Sequence, residues 1–231
     1  MSAWALRLLI SVLLMCGLAS QAARADTDAE PGALTLDGIV AVVGGLAPGP
    51  HVISIFRSDV ELRARLAILR EREVAVALRP VPDNVLRASL SELLGEALIA
   101  VEAARLNLAP PSELALADER ARLLGQGERA VATRALLDAL GVSARELDAW
   151  IERRATVNGF LQANLEGTLE ASSSELERLF KTEPHPFRDQ TFEDARPRFA
   201  AWLTQRRMEQ AVSRWVQSLT QRTPHRVLVA Y

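Results

Sequence analysis

His185 stands between Pro184 and Pro186 in the stretch KTEPHPFRDQTFEDARPRF, which begins at Lys181, and Phe187, Asp189 and Glu193 follow within a few residues. An imidazole among carboxylates has the makings of a general base, but a base needs an oriented partner and a pocket. Here the two prolines break helices and favour extended backbone before them, so the stretch reads as a joint that turns the chain from one helix into the next. The other histidines, His51 and His225, are far away in sequence, and none of the three belongs to an H-x-x-x-H or H-E-x-x-H pattern, so a metal site has no local support. The chain has no G-x-S-x-G elbow, P-loop or dinucleotide fingerprint. VVGGLAPG, from Val42, lacks the lysine and helix start of a phosphate cradle and reads as a hairpin connection. The carboxylates Asp118, Glu119, Glu170 and Glu175 are assigned to solvated faces. The expectation is therefore no catalytic residue, no cofactor and no metal.

The elements that would position any site begin after the leader. Arg7, the apolar run Leu8 to Leu18 and the small residues of Ala23-Arg24-Ala25 read as a cleaved secretory signal over residues 1–25, with a mature start at Asp26 and no membrane span after cleavage. Cys16, the only cysteine, lies in that run; lipidation there needs a small residue before it, and Met15 is a poor fit. Cleavage leaves a chain with neither disulfide nor thiol nucleophile. The 27 basic and 29 acidic residues give a net charge of −2, and losing Arg7 and Arg24 makes it −4. With no basic stripe, nucleic acid is not an expected partner.

Residues 26–35 form a polar leader. LDGIVAVVGG and HVISIF then read as two strands of a hairpin with a long connection. The S-x-x-E pattern Ser58 to Glu61 predicts a capping box and a helix from about Asp59 to Ala77. Pro80 and Pro82 stop it. From Leu86, the residues Leu90, Leu93, Leu94, Ala97, Val101 and Ala104 share an arc of roughly 100° on a helical wheel, ended by Asn107 as a left-handed terminator. Ser112 opens a third helix that ends at Gly125 and Gly127, and a short fourth runs from Glu128 to Gly141. A second S-x-x-E box, Ser143 to Glu146, opens a fifth to about Glu166. The last third holds a short helix from Ser172 to Lys181 and a long one from Thr191 to Thr220, kinked at Pro197. Its apolar face moves: Phe192, Phe199, Trp202 and Leu203 share one side, and Met208, Val212, Trp215, Val216 and Leu219 the nearly opposite one. One helix must pack on two neighbours. RVLVAY closes the chain as a strand, Val227 to Val229, expected to pair with Ile39 to Val43.

In that order, LDGIVAVVGG, HVIS, SDVELRARL, LRASLSELLGEALIAVEAARLNL and GVSARELDAWIERRATVNGFLQANL resemble the N-terminal chaperone domain of the SurA family. SSSELERLF and TFEDARPRFAAWLTQRRMEQAVSRWVQSL resemble that family's later segments. The resemblance implies a mainly α chaperone domain over residues 36–231, akin to the trigger-factor peptide-binding domain, with a small β-hairpin paired to a C-terminal strand. In it, residues 171–231 would pack back on residues 36–170. It also implies a periplasmic, ATP-independent protein that binds unfolded polypeptides, outer-membrane protein precursors among them. The family often carries a parvulin-type prolyl isomerase domain between ELERLF and TFEDARPRF, where this chain has about ten residues, so that domain is expected to be absent and the protein not an enzyme. A peptidyl-prolyl cis-trans isomerase-related protein and a structural adaptor of an envelope complex stand as alternatives.

A holdase needs adaptable apolar surface rather than catalytic groups. On the fifth helix Leu147, Trp150, Ile151, Val157, Leu161 and Leu165 share a face about 120° wide, and Phe160 lies roughly 60° outside it. Phe160, Trp150, Trp202 and Trp215 are the candidate peptide-binding residues, each weighed against a place in the core.

Overall fold

Two β-branched runs bounded by turn-forming residues become the strands β1 (Ile39–Val43) and β2 (Ile53–Phe56), which pair antiparallel with a bulge between Ile39 and Ala41. They belong to a computed structural model that describes residues 37–45, 52–165, 169–229 and 231. The signal segment 1–25 with Cys16, the leader up to residue 36, and His51 lie outside the described residues. A third strand, β3 (His225–Val227), pairs antiparallel with β1, so the sheet order is β2-β1-β3. The ends of the chain meet as expected, but in a different register: His225, Arg226 and Val227 face Val43, Val42 and Ala41. The preceding helix runs to Arg222, and the Gly44 N–H donates to the Pro224 carbonyl at 2.8 Å, so the ladder starts at once rather than at Val227. Of the expected Val227–Val229 only Val227 is in the strand; Leu228 adds one more bond, to the Val40 carbonyl.

The first helix departs from the expected box. β2 runs straight into α1 (Arg57–Leu69), which puts the N-cap at Phe56. Asp59, three residues on, accepts from the Phe56 N–H at 2.9 Å, and Ser58 turns its N–H and hydroxyl to the Asp37 carboxylate at 3.0 and 2.6 Å. Glu61 instead sits 3.8 Å from Arg57 and 3.6 Å from Arg65. Nor does one helix reach Ala77. The chain turns at residues 70–73 and resumes as α2 (Val74–Ala77), because Val74 and Ala77 then fold back onto Leu66, Leu136 and Trp150. Arg65 holds the turn by donating to the carbonyls of Ala77 (2.7 Å) and Arg79 (2.9 Å).

The helix α3 (Asp83–Arg105) is the hub and packs on α1, on both hairpin strands and on the two long helices that follow. Its predicted stripe is the buried face: Leu90, Leu93, Ala97 and Val101 are in the core, with Leu86 and Leu94 packed beside them. Asn107 takes φ 52°, the left-handed turn expected after the helix. Ser112 caps α4 (Glu113–Leu124) by accepting from the Ala115 N–H. Gly125 and Gly127, at φ 78° and 57°, make the reversal into α5 (Glu128–Ala139), where a side chain would be strained. The second S-x-x-E box forms at the start of α6 (Ala144–Leu165): Ser143 Oγ accepts from the Glu146 N–H at 3.2 Å and Glu146 accepts from the Ser143 N–H at 2.8 Å.

After α7 (Ser173–Thr182) the long α8 (Phe192–Arg222) runs continuously through Pro197. Its two apolar sides have the two neighbours the sequence demands. Phe199 and Leu203 bury against Leu176 and Leu179 of α7. Met208, Val212, Trp215, Val216 and Leu219 pack on the main core between α3 and α6. Among the described residues no helix is long and apolar enough to cross a membrane.

Candidate polypeptide-binding surface

The four aromatic candidates separate into three places. Phe160 is 1% exposed and its ring centroid lies 4.9 Å from that of Trp215, which is half-buried on α8. Both belong to the main core. Trp150 is buried in a second cluster with Leu66 and Leu136, its ring under the guanidiniums of Arg63 (5.4 Å) and Arg154 (5.9 Å). Trp202 is half-buried in the third cluster, stacked on Phe199 at 5.6 Å with Arg206 over it at 5.3 Å. They form no common surface, and Phe160 and Trp150 have almost none to offer.

His185 is more enclosed than its sequence neighbourhood suggests. Its ring is half-buried, 4.3 Å from Phe180 and 5.0 Å from Phe199 between ring centroids. Nδ1 accepts from the Phe187 N–H at 3.1 Å, which leaves Nε2 as the protonated nitrogen, donating to the Phe180 carbonyl at 2.8 Å. Both nitrogens are engaged in closing the joint. His225 lies apart, in β3, and among the described residues no group of His, Cys, Asp and Glu is arranged to hold a metal.

Open apolar surface lies instead along α4. Leu116, Ala117, Ala121 and Leu124, with Glu113, Arg120 and Arg134 at the edges, line a groove of about 470 Å³. Leu114 at its mouth is 72% exposed, and Val131 on α5 is 67% exposed. The opposite side of α4 carries Leu123 into the second cluster. On a helical wheel Leu116, Leu124, Ala117 and Ala121 span about 140°, away from the direction of Glu119, so α4 carries more apolar residues than its single buried face uses. That surplus is the sequence signal for the groove.

Glu119, expected on a solvated face, is 1% exposed. It accepts from Arg154 Nε at 2.6 Å, from Arg122 at 2.7 Å and from Asn158 at 2.7 Å, so the buried charge is satisfied by three donors. Asp118 beside it and Glu170 are exposed, and Glu175 is half-buried against Arg207 at 2.5 Å. The Glu119–Arg154 pair continues to α3, where Arg154 reaches Glu96 at 3.2 Å and Arg63 contacts Glu96 directly and lies 3.7 Å from Glu92. Burial pushes Glu96 up, but Arg63 and Arg154 outweigh it and hold the carboxyl below its ordinary value. At Glu92 burial prevails over Arg63, and the carboxyl is raised. Compared with known families and curated proteins, the chain matches no family model and no curated sequence.

Proposed function

We propose that the protein is an exported, ATP-independent holdase that binds extended segments of unfolded polypeptides, outer-membrane protein precursors among them. The observation that supports this reading is the groove on α4: an open, largely apolar channel with charged residues at its edges on a fold that otherwise buries its large side chains. Burying a Leu-sized side chain contributes about 1.5–3 kcal/mol, so one or two client side chains seated there would be held and still released without a nucleotide. The resemblance of the ordered strand and helix segments to the SurA chaperone domain agrees with this, and the signal segment agrees with a periplasmic location.

The deciding experiment follows aggregation of an unfolded outer-membrane β-barrel by light scattering, with a panel of unrelated unfolded polypeptides beside it. Suppression across the panel is expected, reduced by Leu114→Ser with Ala117→Glu at unchanged thermal stability. Suppression that ignores these substitutions would remove the groove from the reading. No suppression of any client would sink the holdase, and binding to one folded partner alone would make the protein an adaptor.

A further inference from the structure

Between α1, α4, α5 and α6 lies a cleft of about 40 Å³ lined by Arg63, Arg70, Arg122, Arg129 and Arg154, with the Trp150 ring in its wall. Five guanidiniums so close need anionic partners, and the neighbouring protein supplies three carboxylates. Glu119 serves Arg122 and Arg154, Glu96 serves Arg154 and Arg63, and Glu92 stands 3.7 Å from Arg63. Two positive charges are left over. Arg63 is only 3% exposed, yet its Nε–H is buried with no acceptor among the described residues. Leaving such a donor unsatisfied costs about 1–3 kcal/mol, and more at a charged group. Arg129 makes no ion pair among the described residues. The surplus charge also acts on Arg70: partial burial, then the nearby Arg63, lowers it to about 10.

We propose that this cleft is a binding site for a single carboxylate, held by Arg63 at its base and by Arg70 and Arg129 at its mouth. The volume is that of roughly one small group, since a water molecule occupies about 30 Å³ in the liquid. A planar carboxylate head fits and matches the fork of a guanidinium; a bulkier tetrahedral oxyanion fits less well. The carboxylate comes either from a small free acid or from the C-terminus or acidic side chain of a polypeptide. The site does not depend on the α4 groove or on the holdase reading.

The test titrates the purified protein with sodium acetate and with sodium phosphate at constant ionic strength set by sodium chloride, reading thermal unfolding and the Arg63 Nε–H resonance by NMR. Acetate is expected to raise the unfolding temperature saturably, as a ligand of the folded state must, and to shift that resonance. A tripeptide with a free C-terminus, compared with its amide, distinguishes the sources: discrimination assigns the site to polypeptide carboxylates, and its absence to small acids. Because Arg63 is buried among partners, the variants are at the mouth. Arg70→Gln and Arg129→Gln should keep the fold and weaken acetate about tenfold or more, in line with hydrogen bonds to charged groups. Phosphate binding without acetate binding, no anion-specific effect beyond chloride, or unaltered acetate binding in both variants would each overturn the proposal.

Discussion

The rings of Phe160 and Trp215 meet at 4.9 Å, tilted by 41°, and join α6 to the second half of α8. Phe160 lies outside the main stripe of its helix because it faces this second neighbour. Truncating a buried large aromatic costs about 3–5 kcal/mol, a large part of a usual total of about 5–15 kcal/mol. Phe160→Ala should therefore lower urea stability by that amount. A double-mutant cycle with Trp215→Ala should give a coupling of about 0.5–1.5 kcal/mol; additive losses would show that the ring contact contributes nothing of its own.

Asp118 and Glu119 are adjacent and have opposite surroundings. Replacing Glu119 with Ala leaves Arg154, itself 6% exposed, facing the interior with one partner fewer. Breaking a buried pair in this way costs about 3–5 kcal/mol. Asp118→Ala should change little, since its side chain is solvated. Chemical unfolding of the two variants side by side checks this, and equal effects would refute the burial of Glu119.

These two residues also mark what a sequence can and cannot disclose. The opposite sides of α8 were legible because their spacing is local, repeating along one helix. So was the Ser143 box, whose partners are three residues apart. Glu119 was not, because Arg154 lies thirty-five positions away and nothing in ALADERARL distinguishes a buried glutamate from a solvated one. The turn at residues 70–73 was hidden for a similar reason: Arg-Glu-Arg-Glu suits a helix, and only the tertiary contact of Val74 and Ala77 with Leu136 bends the chain. The aromatic candidates failed as a surface because a large side chain that can grip a client also fills a core.

Glu92 and Glu96, one turn apart on α3, should respond to acid in opposite senses. Glu96 is held below its ordinary value of 4.5, so its contribution is present above that pH and is lost as pH falls through the lower folded value. Glu92 is raised, so its ionised form costs stability at neutral pH, and the cost is relieved as pH falls through the raised value. Glu96→Gln should be strongly destabilising at pH 7, by about 3–5 kcal/mol, with the deficit shrinking below pH 4.5. Glu92→Gln should be neutral or stabilising at pH 7, with its advantage gone by acid pH. Urea unfolding at a series of pH values reads both, and parallel profiles would contradict the assignment.

His185→Ala removes both hydrogen bonds that close the joint. Each is worth about 0.5–1.5 kcal/mol, so thermal stability should drop modestly. Client holding per folded molecule should stay constant, because the imidazole is remote from the α4 groove in the fold's contacts and has no free nitrogen. A loss of holding without a loss of stability would give His185 a direct role.

The strongest demand falls on α8, which serves two cores at once. A chain ending at Lys181 would lose Phe199 and Leu203 from the α7 cluster, Leu219 from the main core, and β3 from the exposed side of β1. It would also lose Arg222, whose guanidinium donates to Glu102 at 2.8 Å and ties the end of α8 to α3. Each large buried side chain removed costs about 2–5 kcal/mol, and three of them together match a usual total stability of about 5–15 kcal/mol. The shortened chain should show no cooperative thermal transition and should bind a hydrophobic dye while keeping helical circular dichroism, the behaviour of a collapsed state without fixed packing. A transition close to that of the full chain would mean that α1 to α6 form a self-sufficient core and that α8 is an appended arm.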